Sequence, residues 1–118
     1  MKNNLTVMTR PHKDILTYLE NRGVELIEEC PFPPYNIDLF LPDFHAGIEI
    51  DGPQHEKKRD EERDEELLKV YELPIFRIKA EHVKFLERWE EELKTFLEVC
   101  KVTADERWEI CKPRTPWL

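Results

Sequence analysis

The sequence predicts one α/β domain, with a mixed central sheet of about four strands and helices flanking it. Three observations predict this class. Two short runs, at residues 37–41 and 48–51, contain the alternation of apolar and polar residues that is typical of strands. A highly charged, helix-forming segment follows and leads into the apolar run LPIFRIK, which gives a strand–helix–strand order. A chain of 118 residues, 40% of them hydrophobic, suffices for one ordinary core, so we expect a single domain over residues 1–118.

The first part of this domain is a predicted helix followed by a strand. Thr9 is a suitable N-cap, Pro11 is tolerated in the first helical turn, and Gly23 is a stop signal. The apolar stripe of this helix consists of Ile15, Leu16 and Leu19. Residues 24–28, VELIE, predict a strand, and the proline-rich residues 30–34 predict a stiff extended connection that cannot be helical.

The two alternating runs each have one apolar face and one acid-bearing face. The apolar positions are Ile37, Leu39 and Leu41 in the first run and Ile48 and Ile50 in the second. The acids between them are Asp38, Glu49 and Asp51. The turn-rich segment PDFHAG joins the runs, so we expect an antiparallel hairpin whose acids share one face.

The pairing of this hairpin decides which acids meet. With Leu41 opposite Ala46 or Ile48, Asp38 lies across from Glu49 or from Asp51. Carboxylates about 5 Å apart repel each other unless a cation lies between them, and Mg²⁺ or Mn²⁺ accepts carboxylate ligands. The sequence therefore indicates a divalent-metal site, while the alternative that these acids simply lie on the solvent face of a half-buried sheet stays open.

The remaining elements follow from composition and periodicity. Residues 56–72 predict a helix that begins just after the acids and directs its N-terminal amides toward them. The run LPIFRIK predicts a buried strand, parallel to the Glu49 strand because the crossover is right-handed. Residues 81–100 predict an amphipathic helix. After it, Trp108 and Ile110 could form a short extra strand, followed by an irregular tail that packs on the body or on another subunit.

Several motifs in fixed order carry a family resemblance. The string IEIDGPQH, the downstream RDEERDEELL and the closing LPIFRI resemble the small endonuclease-like domains related to the very-short-patch-repair endonuclease, within the PD-(D/E)XK nuclease superfamily. The resemblance covers about residues 9–101 and leaves residues 102–118 as a C-terminal extension. It implies a restriction-endonuclease-like core and a metal-dependent DNA endonuclease that hydrolyses phosphodiester bonds with Mg²⁺, or with Mn²⁺.

The resemblance also implies roles for individual residues. The implied metal ligands are Asp38, Glu49 and Asp51, and the further catalytic residues are Gln54 and His55, in contact with the scissile phosphate or the attacking water. Asp51 stands where many relatives have lysine, so the group that orients water and stabilises charge on the phosphate has to be another. The candidates for that task are Gln54, His55, Lys57, Lys58 and Lys79. The implied contacts to the DNA backbone are Lys57, Lys58 and Arg63.

Charge and composition restrict the partners. A formal net charge of -8 argues against indiscriminate electrostatic binding of nucleic acid, although positive charge is locally available in residues 57–63 and at Arg77 and Lys79. The three cysteines lack a zinc-type spacing. No apolar run has the length of a signal peptide's core or of a membrane span, so we expect a cytoplasmic protein. Cleavage of both duplex strands would be easiest in a homodimer.

Two alternatives to an active nuclease remain at this point. One is a catalytically silent, nuclease-derived module that binds DNA or a protein, since the superfamily lysine is missing. The other is an acid–base enzyme or a structural domain that binds no divalent ion tightly.

Overall fold

The computed structural model describes residues 9–54 and 56–118. The elements are α1 (Arg10–Asn21), β1 (Ile27–Phe32), β2 (Tyr35–Leu41), β3 (Ala46–Asp51), α2 (Lys57–Tyr71), β4 (Ile75–Lys79) and α3 (Glu90–Cys111). The four strands form one sheet in the order β1-β2-β3-β4. The first three strands pair antiparallel, and β4 pairs parallel to β3. The predicted fold class, a mixed four-stranded sheet flanked by helices, is confirmed.

The predicted N-terminal helix is α1. The side chain of Thr9 accepts a hydrogen bond from the backbone N–H of His12 at 3.4 Å, as expected of an N-cap. The helix ends before Gly23, whose φ of +74° is a conformation that favours glycine. Ile15 and Leu19 are buried against the sheet.

The first strand lies later in the chain than predicted. It spans Ile27–Phe32 instead of residues 24–28, so Pro31 belongs to the strand and not to a connection. The sheet tolerates this proline because β1 is an edge strand, where a missing N–H on the outer side breaks no ladder bond. Cys30 and Phe32 are both buried, and this burial holds the segment on the sheet.

The hydrophobic core has two parts, one on each face of the sheet. On one face, α1 and the first half of α3 cover Leu39, Leu41 and Ile48. On the other face, α2 covers Phe40 and Ile37. The end of α3 also contributes to this second part of the core.

The expectation that Ile37 shares a face with Leu39 and Leu41 is wrong. Ile37 lies on the α2 side, where its Cγ2 atom would be 2.8 Å from a Cβ on Gly47. Gly47 is the cross-strand partner of Phe40. Ile37 and Phe40 therefore face the same side although three positions separate them, so the alternation of β2 breaks between them, at Asp38.

The last helix is displaced and longer than predicted. Two short 3₁₀ turns, Ala80–His82 and Leu86–Arg88, precede α3, which begins at Glu90 and continues to Cys111. The extra strand expected at Trp108 and Ile110 is wrong, because both residues belong to this helix. The helix also runs without a break through the expected boundary between residues 101 and 102.

The C-terminal segment is fixed to the body of the domain at both ends. Cys111 is fully buried and anchors the end of α3 in the core. Further along, the indole N–H of Trp117 donates a hydrogen bond to the carbonyl of Pro31 at 2.8 Å. Of the two placements that the sequence left open for the tail, the contact seen is with the body.

Arg107 of α3 connects three parts of the chain. Its guanidinium donates to the carbonyls of Phe44 at 2.9 Å and His45 at 2.5 Å in the β2–β3 turn. It also donates to Glu72 at 2.9 Å, just past α2, and to Cys100 at 2.8 Å. One side chain thus binds three carbonyls in the β2–β3 turn and just past α2, and a fourth carbonyl within α3 itself.

We expect Arg107→Ala to lower the free energy of unfolding by about 3 kcal/mol, because the carbonyls that it serves lose a charged donor. Urea unfolding monitored by tryptophan fluorescence measures the effect. Arg114→Ala is the matched control, since Arg114 is exposed and donates to the carbonyl of Ile110 within its own helical turn. Equal stability of the two variants would contradict this role of Arg107.

Candidate functional site

The candidate site begins at the pair Asp38 and Glu49, which the hairpin brings together. The register places Leu41 opposite Ala46 and Leu39 opposite Ile48, one of the two pairings that the sequence allowed. Beyond that point, side chains take the place of backbone ladder bonds. The N–H of Asp38 donates to Oε2 of Glu49 at 2.7 Å, and the N–H of Ile50 donates to Oδ2 of Asp38 at 2.9 Å. The two carboxylates are thereby held against each other between the strands.

The carboxylate of Glu49 lies in an unusual environment for a charged group. It is only 5% exposed. Burial first, and then the charge of Asp38, raise the pKa of Glu49 to about 7, although the N–H of Asp38 and the charges of Arg63 and Arg77 act in the opposite direction. Binding of a proton or a cation stabilises a buried carboxylate that lies beside a second acid. This tendency to bind a cation is the property that a metal site requires.

Arg63 of α2 supplies the positive charge nearest to this pair. Its Nη1 donates to Oε1 of Glu49 at 3.0 Å, and its Nη2 donates to the carbonyl of Asn36 at 2.8 Å. The guanidinium lies over the ring of Tyr35, 5.1 Å from the ring centroid. The sequence predicted Arg63 as a contact to DNA, but in the structure it binds a predicted metal ligand.

Asp51 is placed differently from the other two acids. It accepts a hydrogen bond from Nη1 of Arg77 at 2.8 Å. Arg77 also forms a bidentate pair with Asp64, at 2.8 and 2.7 Å, and lies 3.7 Å from Asp60. Burial lowers the pKa of Arg77, but the hydrogen bond and charge of Asp64 and the charges of Asp51 and Asp60 raise it well above its usual range. The protein thus has two adjoining acidic clusters, each with its own arginine.

The central place of Arg77 among these acids was missed from the sequence. Arg77 is the parallel-strand partner of Glu49. Partners in register project from the same face of a sheet, so the arginine within the apolar run LPIFRIK was the available signal.

A cavity of about 670 Å³ opens at the carboxyl end of β3, next to the Arg77 cluster. Its charged lining consists of the cations Lys57, Arg77 and Lys79 and the acids Asp51, Asp60, Glu61, Asp64 and Glu81. Lys79 is the ladder partner of Asp51. Lys57 and Lys79 are two of the candidates to replace the missing lysine. Both line the same cavity as Asp51.

Two further predicted site residues belong to the part of the chain that the structure describes, and both are exposed. Gln54 is exposed in the turn after β3, and Lys58 is exposed in the first turn of α2. His55 lies outside the described residues. The structure thus brings together Asp38, Glu49 and Arg63 on one side, and Asp51 with the two cavity lysines on the other.

The donor chemistry of the Asp38–Glu49 pair fits Mg²⁺ or Mn²⁺, since both cations prefer carboxylate oxygens and keep several waters. The carbonyl of Ile50 is a third candidate donor, because the N–H and C=O of a strand residue point to the same neighbour and its N–H faces Asp38. Over residues 9–54 and 56–118, no group of three or more histidine, cysteine or acidic side chains converges in a metal-binding arrangement. A divalent ion held by this pair would need water to complete its coordination.

His45 and the cysteines have positions typical of core residues. The His45 ring is buried in the β2–β3 turn and donates from Nε2 to the carbonyl of Tyr71 at 2.9 Å. Burial lowers the pKa of His45. Cys30, Cys100 and Cys111 are buried free thiols, and burial raises the pKa of each.

Comparisons with protein-family models, with curated proteins and with solved structures gave no match. Among the described residues, no helix combines the length and the apolar character needed to cross a membrane.

Proposed function

We propose that this protein is a metal-dependent DNA endonuclease that hydrolyses phosphodiester bonds with Mg²⁺ or Mn²⁺. The observation that carries the proposal is the pair of Asp38 and the buried Glu49, held together where β2 and β3 stop exchanging backbone hydrogen bonds. Clustered, desolvated carboxylates cost stability, and a divalent ion offsets that cost. The order of elements agrees with the resemblance: two acid-bearing strands, a charged helix, then a parallel strand that carries Arg77.

In this proposal Asp38 and Glu49 hold the ion, with the Ile50 carbonyl as a further ligand. A bound divalent ion polarises a phosphate oxygen and lowers the pKa of an attacking water. Lys79 and Lys57 stand beside Asp51 in the cavity, where they can stabilise charge that develops on the phosphate. Gln54 and His55 remain proposed contacts to the phosphate or the water.

The DNA backbone would approach the N-terminus of α2. Lys57 and Lys58 are exposed in its first turn, and the free amides of that turn favour an anion. Because the whole chain carries a net charge of -8, this contact depends on local charge and not on a basic surface.

One observation favours a second candidate, a catalytically silent nuclease-derived module that binds DNA or a protein. Asp51, which was predicted as a metal ligand, is bound by Arg77. The Asp38–Glu49 pair would then be the remnant of a metal centre that lacks its third acid.

Cleavage assays separate the two candidates. We expect the wild-type protein to cut plasmid, single-stranded or branched DNA with Mg²⁺ or Mn²⁺, and not with EDTA. Asp38→Asn, which keeps the size of the side chain but removes its charge, should lower cleavage by at least about 10³-fold while circular dichroism stays unchanged. A folded protein that binds the metal but cuts none of these substrates would favour the silent module. Cutting that is insensitive to EDTA would contradict the proposed metal centre.

A further inference from the structure

The side chain of Arg63 lies in the place that a divalent ion needs. A magnesium ion lies about 2.1 Å from a carboxylate oxygen. Nη1 of Arg63 is 3.0 Å from Oε1 of Glu49. An ion bound to that oxygen could be at most about 5 Å from Nη1, and two cations so close in a buried site repel each other strongly.

The rest of the Glu49 carboxylate leaves little room for both cations. Its other oxygen, Oε2, already accepts the N–H of Asp38 at 2.7 Å. The side chains of Arg63 and Glu49 are 18% and 6% exposed, so water screens the repulsion poorly. The ion pair and metal binding therefore compete for one carboxylate.

The guanidinium of Arg63 is also incompletely satisfied where it lies. Within the described residues, its Nε atom is buried without a hydrogen-bond partner. A buried donor left unpaired costs free energy, which lowers the cost of moving the side chain elsewhere. This feature distinguishes Arg63 from Arg77, whose Nε and both Nη atoms bind carboxylates.

We propose that Arg63 is a resident counter-cation of the metal site, which the divalent ion displaces from Glu49. The inference rests on the proposed function in one respect, namely that Asp38 and Glu49 bind a divalent ion. Displacement leaves the guanidinium, which has five N–H groups, beside the ion, where these donors suit a phosphate. The ion pair seen here and the DNA contact predicted from the sequence then belong to two states of the same side chain.

The affinity for Mn²⁺ in the absence of DNA tests this role, measured by titration calorimetry on the full chain. We expect Arg63→Gln, which keeps a hydrogen-bond donor but removes the charge, to bind Mn²⁺ about tenfold more tightly than the wild type. Arg63→Lys keeps the charge and should retain the wild-type affinity. Arg59→Gln is the matched control, because Arg59 lies one turn earlier on α2, is 79% exposed and pairs with Glu56.

The outcomes separate this inference from the proposed function. If Arg63→Gln binds Mn²⁺ no more tightly than Arg59→Gln, the counter-cation role is wrong while the metal site stands. If none of these proteins binds Mn²⁺, the proposed function and the inference both fail.

A measurement on the wild type covers the case in which Arg63→Gln does not fold. The Nε–H signal of Arg63 in an NMR spectrum, assigned by its loss in Arg63→Lys, should shift or broaden as Mg²⁺ saturates the site. A signal that stays unmoved at saturation would overturn the proposal.

Discussion

Replacing Glu49 with glutamine is expected to have opposite effects on activity and on stability. Metal-dependent cleavage should fall by at least about 10³-fold, because the buried carboxylate that holds the ion is lost. In metal-free buffer at pH 8, the free energy of unfolding should rise instead. The reason is that the wild-type protein carries an unfavourable buried charge at this pH, and a neutral amide does not.

The direction of the pH dependence follows from the pKa. The pKa of Glu49 is about 7 in the folded protein and 4.5 as its usual value, so between these values the folded state binds more protons than the unfolded state. Wild-type stability should therefore fall as the pH rises through this window, by up to about 3 kcal/mol. Glu49→Gln should lack this loss, although the broken ion pair with Arg63 makes its net gain smaller.

Urea unfolding in EDTA at pH 5 and pH 8, together with cleavage in Mg²⁺, measures both effects on the same preparations. Glu65→Gln is the control for the loss of one negative charge, since Glu65 is exposed on α2. We expect it to keep wild-type cleavage and the wild-type pH slope. If Glu49→Gln lost cleavage and stability together, or kept the pH slope of the wild type, Glu49 would be a structural residue and not the centre of a metal site.

The hairpin shows how far local pattern reaches. Two-residue alternation and the turn composition of PDFHAG predicted β2, β3 and two possible pairings, and the structure has the one that sets Asp38 against Glu49. The face of Ile37 could not be predicted in the same way. It depends on where the alternation of β2 breaks, which is at Asp38. At that point the N–H groups of Asp38 and Ile50 donate to side-chain carboxylates instead of to backbone carbonyls, and no local pattern encodes such contacts.

The last helix shows a second limit. Its first half buries large side chains such as Leu93, whereas its second half buries Ala104 and Cys111 as the helix passes from one part of the core to the other. Small buried residues and a change of face weaken the apolar periodicity, so the sequence pattern ended at Cys100 while the helix did not.

The acidic clusters show a third limit, which concerns pairing at a distance. The sequence identified Asp38, Glu49 and Asp51 as candidates, and the parallel strand that carries Arg77. It could not assign Asp51 to Arg77 instead of to the Asp38–Glu49 pair, because 26 residues separate Asp51 from Arg77 and only the crossover through α2 brings them together.

Arg77→Met is expected to be among the most destabilising single substitutions in this protein, with a loss of about 3 to 5 kcal/mol at pH 8. The side chain of Arg77 is 17% exposed, and those of Asp51 and Asp60 are 12% and 13% exposed. Methionine fills a similar volume but leaves these acids and Asp64 without the cation that they surround. A loss of this size is a large share of the stability of a domain this small.

Three comparisons show whether the lost cation is the cause of the effect. Arg77→Lys keeps the charge but cannot form the bidentate pair with Asp64, so its stability should lie between those of the wild type and Arg77→Met. Lowering the pH, which protonates carboxylates, should recover part of the stability of Arg77→Met relative to the wild type. Arg59→Met, a surface substitution of the same kind, should change stability by less than about 0.5 kcal/mol. If Arg77→Met is as stable as Arg59→Met, water and counter-ions must already screen the acids around Asp51. In that case Asp51 would be as open to a metal ion as the sequence first suggested.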